Sequence, residues 1–545
     1  MLGAALAGKK SNPDHLVTVD AVVVGAGFGG MFMVNRLRSA GLSVLGIEAG
    51  GNVGGVWYWN RYPGARCDVF SIDYSYSFSD EIQQEWTWSE EYSAQPEILA
   101  YANFVAEKLE LHKFFRFNTR VKSAVFDDER GIWRLTTDKG DVIDAPYCVM
   151  ATGPLSIPKE IDIDGVQDFK GKIYRASKWP HEPISFAGQR VGVVGVGSSG
   201  IQIIPMVATE ADQLYVFQRT PSFTFPMRNK KITENYARQV KEQYSSLRWV
   251  GRNTFTGGVR PISTRPLFSV TTEEREELLE NAWQKGGRVL FGLFSDVLTN
   301  PAANDIVADF VRRKIAEVVK DPETAAILMP RGYPIFSRRP CLDTDYYETY
   351  NRPNVHLVDC VSEPIECLTE TGVKTAAQHI ALDTLILATG FYGLTGAMLA
   401  IDVKGTGGRD LKDKWQDGAR SYLGLAMEGF PNLFMMCGAN GPSALANIVI
   451  LNEENGDWIA NCITYMREKN FRTIEAKAES EDKWMHTVSA LAEKSLIPKA
   501  NTWYVGSNII GKPRVFPIYI GGLNKYREIC DGVAAEHYAG FTLKR

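Results

Sequence analysis

The sequence predicts an α/β protein built from two Rossmann-like units with a helical insertion, and three observations carry that prediction. Two Gly-x-Gly-x-x-Gly turns, "GAGFGG" and "GVGSSG", each lie between a short β-branched run and a helical stretch. Two further apolar runs, "YCVM" and "DTLIL", each end in Ala-Thr-Gly. Between Arg219 and about Arg331 the apolar residues change to helical spacing.

Length and composition set the frame. A chain of 545 residues exceeds one hydrophobic core and suggests about three or four domain-sized units. The apolar share of 45% and charged share of 23% are those of an ordinary globular protein. Lys and Arg total 60 against 64 Asp and Glu, so no basic excess points to nucleic acid or an anionic membrane. The apolar runs fall far short of the roughly 20 residues of a membrane span. The N-terminal stretch "MLGAALAGKKSNPDH" places its lysines after a short apolar run, unlike a secretory signal; it reads as a disordered tail on a cytoplasmic protein. Eight scattered cysteines include no Cys-x₂-Cys or Cys-x₄-Cys pair, which disfavours a metal site, a disulfide framework and a dithiol reductase. They read as buried, reduced thiols.

The first unit begins with Val17–Val24, which reads as one buried parallel strand. Gly25 permits the tight turn, Gly27 lets the backbone approach a diphosphate, and Gly30 lets helix pack on strand. A helix through "MFMVNRLRSAG" follows, then the strand "SVLGIE", which ends at Glu48, 18 residues past Gly30. There a carboxylate can accept hydrogen bonds from a ribose diol, and the helix N-terminus can receive the diphosphate.

The second unit repeats the pattern with Gly195, Gly197 and Gly200 after the strand Val191–Val194. Its next strand, "QLYVFQR", ends in Arg219, 19 residues past Gly200. Alone, Arg219 reads as a solvated strand-end cation. In this position a guanidinium pairs with a 2′-phosphate that a carboxylate would repel. The first unit therefore suits FAD and the second NADPH.

The Ala-Thr-Gly turns at 151–153 and 388–390 read as crossings out of the FAD domain and back into it. This gives FAD-binding segments at 1–154 and 389–545, NADPH-binding segments at 155–224 and 333–388, and a helical insertion at 225–332. In the insertion, Thr271 with Glu274 suggests a capping box, and Val307, Val311, Ile315 and Val318 recur at helical spacing. The insertion reads as shaping a substrate cleft, or as a purely structural bundle.

Longer motifs carry a specific resemblance. "GGVWYWNRYPGARCD" matches [AG]-G-x-W-x₄-[FY]-P-[GM]-x₃-D at Gly54, Gly55, Trp57, Tyr62, Pro63, Gly64 and Asp68. "FKGKIYRASKWP" keeps Phe169, Gly171, Trp179 and Pro180 of a second fingerprint, with Arg175 where that pattern has histidine. With "VFQRTP", "DYYETYNRPNVHLVD" and "NGPSALAN", the chain resembles the type I Baeyer–Villiger monooxygenases from Asp20 to about Leu543.

The resemblance implies that NADPH reduces FAD, that O₂ adds at flavin C4a, and that the resulting peroxide attacks a ketone to give an ester or lactone. It implies sulfide oxidation as well. A permanent cation beside the peroxide keeps it anionic, and arginine suits because it does not give up its proton. By resemblance the catalytic arginine is Arg339, oriented by Asp68. Arg338, Arg219, Thr220 and Arg66 fall on NADP contacts, as do Ser198 and Ser199 of the second glycine turn. Glu48, Gly55, Val56, Trp57, Asp68, Tyr74 and Val121 fall on flavin contacts, and Trp503 on a residue closing over the nicotinamide. The substrate pocket maps to Pro340, Ser443, Ala444, Leu445, Ile448 and Trp503, whose apolar character suits a hydrophobic ketone. The expected partners are that ketone and O₂, with no nucleic acid or membrane, and the expected state is a monomer or weak homo-oligomer.

Arg175 lies in the linker between the two nucleotide units, where a long donor can serve domain coupling but not proton transfer. Two other readings stay open: a heteroatom-oxygenating flavin monooxygenase, and a flavoprotein that binds NADPH without oxygenating.

Overall fold

The computed structural model describes residues 16–160, 162–260, 262–506 and 513–545. The N-terminal tail read from the sequence lies outside them.

Two five-stranded, all-parallel sheets dominate. The first runs Leu433–Met435, Tyr147–Met150, Ala21–Val24, Val44–Ile47, Phe115–Arg116 in spatial order. The second runs Val355–Asp359, Gln213–Gln218, Arg190–Val194, Thr384–Leu387, Lys172–Arg175. Each central strand is apolar on both faces, because helices or a further sheet cover both sides of a parallel sheet. Ala21–Val24 is wholly buried, and its register to Tyr147–Met150 and Val44–Ile47 is unbroken.

The stretch 17–24 is two strands, not one. Leu16–Thr18 pairs with Val142–Ala145 in a third, mixed sheet, and only Ala21–Val24 enters the first. The switch occurs at Asp20, whose carboxylate accepts from the backbone N–H and the hydroxyl of Ser43, both at 2.7 Å. A side chain that turns back to cap a neighbouring strand breaks the ladder, and alternation of apolar residues carries no trace of that change of sheet.

The two sheets meet their glycine turns in the same way. Gly25 donates to Ile47 O and Ala151 to Val24 O; Gly195 donates to Phe217 O and Ala388 to Val194 O. Each Ala-Thr-Gly turn thus lies against the glycine turn of its own sheet. A Cβ at Gly25 (φ +110°) would stand 2.5 Å from Ala151 O, and one at Gly195 (φ +103°) 2.6 Å from Ala388 O.

The segment after Arg219 is helical, with Glu234–Glu242, Tyr244–Arg252, Thr272–Lys285, Pro301–Val318 and Pro322–Leu328. Val307, Val311 and Ile315 are buried, while Val318 is only partly covered at the helix end. The capping box is half made. Thr271 Oγ1 accepts from Glu274 N at 3.2 Å, but the Glu274 carboxylate pairs with Arg265 at 2.7 Å. A nearby guanidinium outcompetes a neutral backbone N–H for the carboxylate. The helical segment is tied to the first sheet's side by the buried Arg248, which donates to Ile72 O at 2.6 Å, Ser75 Oγ at 2.8 Å and Gln83 Oε1 at 2.9 Å. All eight cysteines are free thiols, five of them buried.

Candidate active site

One cavity of about 1460 Å³ receives both glycine turns, both Ala-Thr-Gly turns and the "YPGARCD" stretch. It exceeds the roughly 300–1,000 Å³ of a single-ligand pocket. On one wall the helix Phe28–Ser39 starts at Gly27, and on another Ser198–Ala208 starts at Gly197. Neither N-cap residue has a side chain to occupy the first N–H groups. A Cβ added at Gly197 would meet nothing within 4 Å, whereas one at Gly200 would stand 2.0 Å from Gly195 O. The open amides fit a diphosphate at each helix start, and the buried third glycines fit close packing of helix on strand.

Glu48 directly follows the strand Val44–Ile47. It is 6% exposed, and its two oxygens accept from Ala26 N at 2.7 Å and Gly50 N at 2.6 Å. Burial pushes its carboxyl up, against the pull of those two backbone donors. Trp57 Nε1 donates to Tyr74 Oη at 3.0 Å, and the two rings meet edge-on at 5.8 Å. Both line the cavity, as do Gly55, Val56 and Val121.

On the second unit, Arg219 and Thr220 line the cavity, with Ser198 and Ser199. Arg219 is exposed and has no ion pair among the described residues, so its charge is available to a ligand. Lys159, on the same cavity, has its ammonium pKa lowered by burial first and by the Arg219 charge second. Arg338 stacks over the Tyr333 ring at 4.1 Å and donates to Asn501 O at 2.9 Å. Arg66, by contrast, has its guanidinium engaged by Glu90.

The two units are pressed together at the fingerprint. Gly64 (φ +79°) faces Gln202 of the second unit's helix, and a Cβ there would lie 2.4 Å from Gln202 O. Gln202 Nε2 in turn donates to Arg66 O at 2.9 Å. Arg339 and Asp68 meet at this junction: Nε donates to Oδ2 at 2.7 Å and Nη2 to Oδ1 at 2.5 Å. Burial alone would raise the Asp68 carboxyl, but the Arg339 and Arg288 charges outweigh it and hold it at about 2. The Asp68 charge in turn lifts the Arg339 guanidinium well above its ordinary value. The pair is ionised throughout the physiological range.

The second fingerprint, read from the sequence as a linker, lies within the second unit, its Lys172–Arg175 forming the edge strand of that sheet. Phe169 and Trp179 are buried, and a Cβ at Gly171 would collide with the Phe169 ring and Asp383 O, at 2.3 and 2.6 Å. Trp179 packs on Tyr174 at 5.5 Å, next to Pro180. Arg175 is the last residue of the edge strand, in register with Leu387, one residue before the Ala-Thr-Gly turn. It shares a small hollow with Lys159, Ser199 and Gly390.

The predicted substrate residues are not all brought to the cavity. Pro340 and Ile448 line it. Ser443 (φ +41°) is buried behind Cys437, whose thiol donates to its hydroxyl at 3.6 Å. Leu445 packs with Leu394, Ile497 and Phe516 instead. The side chains of Ala444 and Trp503 lie outside the described residues. Cations that escaped the sequence reading include Arg120, Lys159 and Lys178 on the cavity wall and Arg288, which pairs with Asp68. The only local signal for Arg288 is its place directly after the Gly286–Gly287 pair that ends a helix.

Comparison with known proteins accords with this architecture. The family profile of pyridine nucleotide-disulphide oxidoreductases matches residues 22–254. A cyclohexanone 1,2-monooxygenase of Acinetobacter sp is 40% identical over 530 residues, 96% of each chain. A Baeyer–Villiger monooxygenase of Pseudooceanicola batsensis is 38% identical over 530 residues, again 96% of each. The solved structure of OTEMO in complex with FAD and NADP superposes with a TM-score of 0.93 at 38% identity, covering 96% of this chain and 99% of that one.

Proposed function

The chain belongs to the Baeyer–Villiger monooxygenases, NADPH-dependent flavin enzymes that convert ketones to esters or lactones, and from that premise we propose how its own residues divide the work. The observation that carries the proposal is the half-buried Arg339–Asp68 pair, facing the cavity that both glycine turns share.

FAD takes the first glycine turn, with Glu48 toward its ribose and Gly55, Val56, Trp57, Tyr74 and Val121 around the rest. NADPH takes the second, with Ser198, Ser199 and Thr220 beside it and Arg219 and Arg338 on its 2′-phosphate. Residues 1–154 and 389–545 form the FAD side, 155–224 and 333–388 the NADPH side, and 225–332 the helical insertion. The membership of the two parallel sheets supports this division.

Bound FAD, once reduced by NADPH, supplies the activation of O₂. The chain's part is electrostatic. Arg339 places a permanent positive charge where negative charge develops on oxygen, and Asp68 fixes the guanidinium plane through two parallel hydrogen bonds. Trp57 and Tyr74 hold each other edge-on and set one wall. Pro340 and Ile448 shape an apolar end for a hydrophobic ketone, with the Ser443–Leu445 loop behind them, and the same end admits sulfides. Arg175 serves coupling between the units: it ends an edge strand of the second sheet and shares a small hollow with Lys159, Ser199 and Gly390, beside the second Ala-Thr-Gly turn. The enzyme works in the cytoplasm as a monomer or weak homo-oligomer.

The overall balance is ketone, O₂, NADPH and a proton giving ester, water and NADP⁺. Incubation of the FAD-loaded protein with NADPH, ¹⁸O₂ and a ketone panel tests it. One labelled oxygen per ester and one NADPH per product support the reading; hydrogen peroxide as the sole oxygen product would overturn it.

A further inference from the structure

Asp68 has two cationic partners. Besides the Arg339 fork, Arg288 Nη2 stands 3.7 Å from Asp68 Oδ2, an ion pair longer than a hydrogen bond. One guanidinium on one carboxylate is neutral, so Asp68 by itself would cancel much of the field that Arg339 directs into the cavity. With Arg288 the trio carries a net charge of about +1 at any pH where the carboxylate is ionised.

The backbone delivers Arg288 to this place. The helix Thr272–Lys285 ends in Gly286 (φ +69°) and Gly287 (φ +61°). A Cβ on Gly287 would stand 2.2 Å from the Tyr92 hydroxyl, and Gly287 N donates to Pro226 O at 2.8 Å. Two consecutive residues with positive φ, Gly286 packed on Arg228 and Pro226 and Gly287 on Tyr92, turn the chain so that the next side chain reaches Asp68. Arg288 is not on the cavity wall, whereas Arg339 and Asp68 are. Its Nε is buried and makes no hydrogen bond among the described residues, so charge rather than a hydrogen-bond fork ties it to the carboxylate.

We propose that Arg288 is a positioning residue that takes up the charge of Asp68, so that Arg339 presents a net positive field to the cavity. This rests on the reading that FAD and the ketone occupy that cavity.

The test uses the FAD-loaded full chain and reads the midpoint potential of the bound flavin, which a nearby positive charge raises by favouring the more negative reduced form. Arg288→Gln is expected to lower the potential and Asp68→Asn to raise it. The double variant, whose net charge equals the wild type's, is expected to return near the wild-type value. Arg288→Lys keeps the charge and is expected to stay near wild type, while Arg288→Gln loses about tenfold or more in kcat with little change in KM. An unmoved potential in Arg288→Gln that retains FAD would overturn the inference. So would a lysine variant shifted downward, and that variant decides alone if the glutamine variant does not fold. Failure of the wild-type chain to bind FAD would instead sink the reading of the cavity itself.

Discussion

Arg339 grips Asp68 with both arms of its guanidinium, at 2.7 and 2.5 Å, across 271 residues of sequence. The contact joins a segment that leads into the strand Cys341–Asp343 to the turn-rich stretch after the first glycine motif. It is both the seam between the two nucleotide units and the charged centre of the cavity.

Arg339→Ala is expected to keep FAD yet lose about 10²–10³ or more in ester formation, the scale of removing one preorganised charge donor. Asp68→Asn should cost stability too. The folded carboxyl titrates at about 2, below its ordinary value of about 3.9, so its contribution is whole above the unfolded pKa and is lost as pH falls through the folded one. The loss is on the order of 2 kcal/mol. Urea titrations of wild type and variant, converging as pH drops from 5 toward 3, check it.

The second glycine turn separates binding from packing. Gly197→Ala meets open space within the protein and intrudes only on the cavity, so NADPH affinity should fall severalfold with the melting temperature unchanged. Gly200→Ala drives a Cβ to 2.0 Å from Gly195 O and should destabilise by about 2 kcal/mol or more. Paired melting curves and nucleotide titrations distinguish the two; equal behaviour would refute the cradle assignment.

Arg219 has no ion-pair partner among the described residues, so its removal breaks no ion pair among them. Arg219→Gln is expected to weaken NADPH about 10–100-fold, as charge-assisted pairing with a phosphate is lost, while NADH changes little. Steady-state KM values for the two nucleotides give the answer.

Asp343 should make the protein less stable as pH rises. Burial pushes its carboxyl up to about 7, against donation from Thr224 Oγ1 and Tyr346 N. The folded group holds its proton while the unfolded one has released it. Stability is therefore highest below about pH 4 for this group and declines through pH 7, by a few kcal/mol at most. Asp343→Asn is expected to flatten that decline in denaturant melts between pH 5 and 8.

Exchange of Arg175 for histidine should leave the fold intact, because the residue ends an edge strand and only its backbone is in the ladder. NADP⁺ affinity or release should change; an identical dissociation constant and turnover would remove its coupling role.

What the sequence determined by itself was whatever a local backbone demand imposes. Gly30 and Gly200 are dictated by contacts under 3 Å within their own turns, Gly25 and Gly195 by the positive φ of those turns, and Glu48 and Arg219 by the strand ends that follow at fixed distance. Phe169, Gly171 and Trp179 were legible only through the fingerprint resemblance. The tertiary structure alone decided where chains distant in sequence meet. It split Val17–Val24 between two sheets at Asp20, turned Glu274 to Arg265, placed Ser443 and Leu445 behind the cavity wall, and brought Arg288 to Asp68. Spacing fixes a turn because the turn's own atoms collide or bond. A charge pair across 220 residues depends instead on how two domains and a helical segment pack, and no local pattern encodes that.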